Sequence, residues 1–228
     1  MAMPFYVPPE QMMKDRADYA RKNIARGRDV VAFSATDGIV IVTENQFRTL
    51  FKISEIYDKI AFAGVGKYNE FEMLRVAGVR QADLKGYSFS REDVNARALA
   101  NAYGQTLGQV FTHEMKPYEV EILLAEVREQ QEDDELYHIL YDGIVMDDES
   151  WSAIGGRSER IAEQLAERYD TAMDSGAAIR LGASVLSDTD APLSTNLEVA
   201  LLQRGVAGRA FRRITGDELD AILAAGDS

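Results

Sequence analysis

The residues that could do chemistry in this chain are few, and most lack partners at the right spacing. It has two histidines, His113 and His138, and no cysteine. A serine or threonine nucleophile assisted by histidine needs that imidazole within hydrogen-bond reach. His113 falls at the end of a helical stretch, where a cation complements the helix dipole, and His138 alternates with Tyr137 and Ile139 in a strand-like run. No Gly-x-Ser-x-Gly elbow accompanies either one, so both read as structural. Metal chemistry fares no better. There is no His-x-His or His-Glu-x-x-His, and zinc needs such clusters. The acidic run Glu132-Asp133-Asp134-Glu135 lacks the spaced acids and mid-loop glycine of a calcium loop, and reads as a solvated hairpin tip. Gly64-Val65-Gly66-Lys67 is followed by Tyr68 instead of Ser or Thr, and the upstream glycine position of a phosphate loop holds Ala61. A strand-to-helix turn is the better reading.

Composition narrows the classes further. With 228 residues and 46% hydrophobic content, one larger domain or two small ones with a real core is expected. The absence of cysteine excludes a disulfide framework and fits a reducing cytoplasm. A formal charge of −13 repels phosphate backbones, and no basic stripe interleaved with aromatics appears, so nucleic acid is not an expected partner. The start lacks the basic flank and long apolar core of a secretory signal. No apolar run approaches the ~18 residues of a membrane span, so no membrane association is expected.

The elements follow from periodicity. Residues 1–9 form a short apolar segment containing Phe5, Tyr6 and Val7 and ending in Pro8-Pro9. Residues 10–27 read as a charged helix with Met13, Ala17, Ala20 and Ile24 at helical spacing, stopped by Gly27. Residues 28–228 then form the main domain. Its opening hairpin, Asp29–Ser34 and Ile39–Glu44 about an Asp37-Gly38 turn, is a strong short-range signal. Strands are expected over 53–57 and 60–63, and a helix from Tyr68 to Leu84. Ser90 should cap a second helix whose face includes Val94, Leu99, Tyr103 and Leu107, ended by Pro117. Strands over 120–127, 136–141, 144–146 and 151–154 precede two helices, one carrying Ile161, Leu165 and Tyr169 and one over 177–186. Strands 197–202 and 210–214 follow, and Thr215-Gly216-Asp217-Glu218 reads as a capping box for a short last helix. Such grouping departs from doubly wound alternation. It predicts an α+β fold: a four-layer αββα sandwich of two antiparallel sheets flanked by helix pairs, with an extra N-terminal helix.

The hairpin, and the order and spacing of several short stretches, resemble proteasome-type subunits of the N-terminal-nucleophile hydrolase superfamily. The stretches include Pro9-Glu10-Gln11, Tyr19-Ala20-Arg21-Lys22, Lys52-Ile53-Ser54-Glu55, Gly66-Lys67-Tyr68-Asn69-Glu70-Phe71, Lys116-Pro117-Tyr118-Glu119-Val120 and Phe211-Arg212-Arg213-Ile214. The resemblance spans residues 10–223 and is closest to the actinobacterial proteasome alpha subunit. In catalytic subunits of that family a threonine exposed by cleavage after glycine opens the first strand. Here that position falls near Arg28, and no Gly-Thr, Gly-Ser or Gly-Cys pair occurs. Glu44 matches the family's acid after the second strand, whereas the lysine position falls near Thr49.

The resemblance therefore implies a non-catalytic subunit of a threonine-type endopeptidase complex, needing no metal or cofactor. It implies a homo-heptameric outer ring stacked on beta subunits, through which protein substrates pass. Phe5, Tyr6, Val7, Pro8 and Pro9 fall in the family's axial gate, and residues 10–27 in its ring-packing helix. Lys52 matches the lysine that takes the C-terminal carboxylate of a ring-shaped AAA ATPase activator, with Arg21, Gly27 and Gly66 on the other pocket positions. Two other readings compete with it. An independent, self-processing N-terminal-nucleophile hydrolase would lose its N-terminus on maturation. A small-molecule-binding α+β domain would be a monomer or dimer.

Overall fold

The β-branched runs on either side of Thr36-Asp37 pair as the chain's first hairpin, from Ala35↔Gly38 to Val30↔Thr43. Its strands are β1 (Val30–Ala35) and β2 (Gly38–Glu44). Gly38 belongs to β2 instead of to the turn. The computed structural model describes residues 8–47, 49–187 and 194–225. Phe5, Tyr6 and Val7 lie outside the described residues.

Eight further strands follow: β3 (Ile53–Tyr57), β4 (Ile60–Gly66), β5 (Val120–Glu126), β6 (Glu135–Ile139), β7 (Val145–Asp148), β8 (Trp151–Ile154), β9 (Leu197–Gln203) and β10 (Phe211–Ile214). They form two five-stranded sheets, ordered β10-β9-β2-β1-β8 and β3-β4-β5-β6-β7, with every pairing antiparallel. The helices are α1 (Pro9–Ile24), α2 (Tyr68–Ser88), α3 (Ala96–His113), α4 (Ser158–Arg168), α5 (Ser175–Leu186) and α6 (Asp217–Ala224).

Three apolar layers result. Ala32, Ile39, Ile41, Ile53, Leu123 and Leu136 pack between the sheets. Phe62, Leu124 and Ile139 turn outward onto Phe71, Leu74, Leu99 and Leu107 of α2 and α3. Val31, Phe33, Val40 and Val42 meet Ile161, Leu165 and Ile179 of α4 and α5. This is the expected αββα sandwich. It also explains why β1 and β2 read as unbroken apolar runs: both of their faces are covered, so no polar alternation is needed. A fully buried large side chain contributes roughly 1.5–3 kcal/mol, against ~0–1 kcal/mol for an exposed ion pair. Burial therefore holds the layers together. Ala20 and Ile24 of α1 join the inter-sheet cluster, which ties the extra helix to the sandwich.

Several element ends differ from the sequence reading. Helix α1 begins at Pro9, one residue early, because proline suits the first helical turn, where its missing N–H is not needed. Ser90 caps only a 3₁₀ turn, Arg91–Asp93. Helix α3 starts later, where Asn95 accepts from the Ala98 N–H at 2.9 Å, so Val94 precedes it. The capping box at Thr215 does not form. Gly216, at φ 60°, precedes α6 without a side-chain cap, and Glu218 instead takes Arg212 at 2.7 Å. The acidic turn is more than a solvated tip, because Asp134 is buried. Its carboxylate accepts from both terminal nitrogens of Arg204 at 2.8 Å, from Ser34 Oγ at 2.6 Å and from the Arg128 N–H at 3.0 Å.

Candidate functional site

Helix α1 hands the chain to β1 through a tight turn. The Gly27 N–H donates to the Ile24 carbonyl at 2.8 Å, and a Cβ at Gly27 would lie 2.8 Å from Val65 Cγ1 and 3.0 Å from the Gly66 nitrogen. Gly66 has φ +105° and rests on the Glu119 carbonyl, with no room for a side chain. Both positions need glycine for a physical reason: close approach at the first, and a left-handed backbone against a carbonyl at the second. The two predicted glycines are in contact.

Lys52 lies beside them, on the residue before β3. Its carbonyl accepts from the Gly64 N–H at 3.2 Å, and its ammonium donates to the Arg28 carbonyl at 2.6 Å. Burial brings the Lys52 ammonium down to about 8, opposed by Glu198 and Asp29 and reinforced by Arg28. Lys52, Gly27 and Gly66 thus converge where α1, β1 and β4 meet. Arg21 points elsewhere: its guanidinium sits 5.7 Å from the centre of the Tyr141 ring. Among the described residues no hydrogen bond or ion pair joins it to the other three.

The loop leading to Lys52 presents two aromatic rings to solvent, Phe47 66% and Phe51 43% exposed. Phe51 does not join Ile53 in the core: the Arg213 guanidinium stacks 3.9 Å over its ring while Ile53 alone turns inward. Beneath the loop Glu198 is buried. It accepts from the Lys52 N–H at 2.9 Å, the Ile53 N–H at 2.9 Å, Asn45 Nδ2 at 2.7 Å and Arg213 Nη1 at 2.8 Å. Arg213 Nη2 also donates to the Ile53 carbonyl at 2.6 Å. The sequence reading missed Glu198, Asn45 and Arg213. Their signal was present: a single acid in the apolar run Leu197–Leu202 must find partners when buried.

At the start of β1, where a nucleophile would stand, Arg28 pairs with Glu44 at 3.1 Å. The next residue, Asp29, is buried and accepts from the Arg157 N–H at 2.9 Å and from Arg157 Nε at 2.6 Å. Ion pairs therefore occupy this end of the sheet. Pro8 and Pro9 stand at the opposite end of α1, as N-cap and first helical residue. Of the histidines, His113 is exposed on the last turn of α3, with Nδ1 3.2 Å from the Gln109 carbonyl. His138 is buried, with Nε2 3.5 Å from Glu121. The deeper grooves lie away from Lys52. One is lined by Tyr57, Asp58, Arg91 and Glu126, and another, acidic, by Arg97, Glu132, Asp147 and Asp148. Among the described residues no group of three or more acids or histidines is placed to hold a metal, and no helix is long and apolar enough to cross a membrane.

Comparison with known proteins adds the remaining observation. A family model described as "Proteasome subunit" matches residues 24–200. The chain is 55% identical over 231 residues to "Proteasome subunit alpha" of Sanguibacter keddieii, covering 98% of this chain and 90% of that one. It is 53% identical to the same-named protein of Kineococcus radiotolerans, covering 98% and 99%. Identity is 54% to that of Acidimicrobium ferrooxidans, covering 98% and 97%.

Proposed function

The chain belongs to the proteasome subunit family and resembles its actinobacterial alpha subunits, and on that premise we propose that it is the gating, non-catalytic subunit of a cytoplasmic proteasome core particle. Seven copies form each outer ring on inner rings of beta subunits. The leading residues narrow the axial entrance, and α1 packs between neighbours. An ATPase ring docks by placing C-terminal carboxylates against Lys52, beside Gly27 and Gly66.

The observation that carries this reading is the convergence of Lys52 on the Gly27–Gly66 contact next to an ion-paired Arg28. A compact, partly buried ammonium suits a carboxylate. A salt-bridged arginine in the nucleophile position suits a subunit that leaves cleavage to its partners.

The test is reconstitution with a beta subunit from the same organism. The expected product is a barrel-sized particle that hydrolyses peptides, with an alpha chain whose mass shows no self-cleavage beyond loss of Met1. The chain alone should hydrolyse nothing. Peptidase activity of the purified chain alone, or an alpha chain shortened to begin near Arg28, would establish the self-processing hydrolase instead.

A further inference from the structure

Glu198 is the only acid in β9, and it lies directly under the segment that carries Lys52. Both carboxylate oxygens are used, Oε2 by Asn45 and the Lys52 N–H, Oε1 by the Ile53 N–H and Arg213. Every one of these contacts fixes either the base of the loop or the backbone of Lys52. Resting on the reading of Lys52 as the tail-binding cation, we propose that Glu198 is its positioning residue, setting the lysine's backbone at the base of the loop and supplying a buried anion beside it.

The electrostatic surroundings support this division of labour. Burial disfavours the Lys52 ammonium and leaves it at about 8; Glu198 gives the largest opposing influence, ahead of Asp29 and Glu44, while Arg28 acts with burial. The charged groups facing Lys52 therefore come from three places. These are Glu198 on β9, Asp29 and Arg28 before β1, and Glu44 at the end of β2. Asp29 and Glu44 have arginine partners of their own. Glu198 has one too, and it alone among them also holds the Lys52 backbone, accepting from its N–H at 2.9 Å.

Two roles for Glu198 separate by pH. If it only shaped the loop, its loss would weaken tail binding equally at all pH values. If it also keeps Lys52 protonated, its loss moves the pH at which binding fades downward, and acid restores what was lost. The tail carboxylate stays ionised throughout, its ordinary pKa being about 3.5.

The experiment uses assembled alpha–beta particles and a synthetic fluorescent peptide ending in a free carboxylate, with its amidated form as control. Binding is followed by anisotropy from pH 6 to 9. For the wild type, binding should fade around pH 8. Glu198→Gln should move that midpoint down by about one unit, the size of a single charge effect at close range, with binding regained on acidification. Glu198→Asp, which keeps the charge, should return the midpoint toward wild type. Should Glu198→Gln fail to assemble, Asn45→Ala carries the test, since it removes one of the carboxylate's donors and leaves its charge: binding should weaken with the midpoint unchanged. A Glu198→Gln midpoint equal to wild type, or Asn45→Ala binding equal to wild type, would overturn the role of Glu198 alone. Wild-type binding by Lys52→Ala would overturn the docking site itself, a separate and recognisable failure.

Discussion

Replacing Lys52 by alanine is the sharpest perturbation of the docking site, and its size can be worked from the contacts. One ammonium hydrogen goes to the Arg28 carbonyl at 2.6 Å, which leaves two for an incoming carboxylate. A hydrogen bond to a charged partner is worth about 1.5–3 kcal/mol, so each tail loses roughly 10- to 150-fold in affinity. Two tails engaged together compound the loss to roughly 10²–10⁴-fold, because the second binds at the effective concentration set by the first. The readout is the ratio of peptide hydrolysis with and without the ATPase ring, over a range of ring concentrations. Lys52→Ala should bring that ratio close to one. The same lysine gives a pH signature. With a pKa of about 8, about nine-tenths of Lys52 is charged at pH 7 and about one-tenth at pH 9. Stimulation should therefore fall as pH rises through 8. Folding stability carries the opposite sign: a lysine lowered from 10.5 penalises the native state below about 8, and that penalty fades as pH rises from 8 toward 10.5. Lys52→Arg should recover little stimulation, and what it recovers should not vary between pH 7 and 9, because guanidinium stays charged. A Lys52→Ala particle that responds normally to the ATPase would refute the reasoning.

Three further outcomes are expected. Asp134→Ala leaves Arg204 charged and buried without its carboxylate, and should cost about 3–5 kcal/mol, seen as a lowered thermal midpoint of the chain; a change under 1 kcal/mol would mean that water replaces the pair. Gly66→Ala puts a side chain at φ +105° against the Glu119 carbonyl, and the backbone strain alone costs about 1–3 kcal/mol; ordinary stability and tail binding would show that the strand end shifts freely. Deleting Met1–Pro8 should speed peptide hydrolysis by the assembled particle without altering the cleavage pattern, and unchanged turnover in a correctly assembled particle would place the barrier elsewhere.

The layers were legible in the sequence because periodicity and burial agree. The hairpin of β1 and β2, the interrupted apolar runs of β3 to β8 and the stripes on α4 and α5 each point to a covered face. What failed was local chemistry with several solutions. Ser90 and Asn95 both precede a helical pattern, and a capping residue identifies a turn without saying whether that turn continues. Thr215 failed because the N-cap of α6 is Gly216, at positive φ, which leaves the threonine one residue short of the capping position. Asp134 was read as solvated because an acidic run looks uniformly polar, whereas one of its members faces inward to meet Arg204.

The site shows the deeper limit of a linear reading. Lys52, Gly27 and Gly66 were found by resemblance, and nothing in their spacing brings them together. They meet because α1 ends against β4 and because β3 enters beside β4, so residues 24–28, 52, 64–66 and 198 share one corner. An isolated acid in an apolar strand was the available clue to that corner. A buried carboxylate with four donors is costly to leave unmatched, so its partners had to be close. Three of those donors belong to the loop that presents the lysine. Glu198 therefore sets the geometry of the loop that presents Lys52, and its loss should be felt in tail binding.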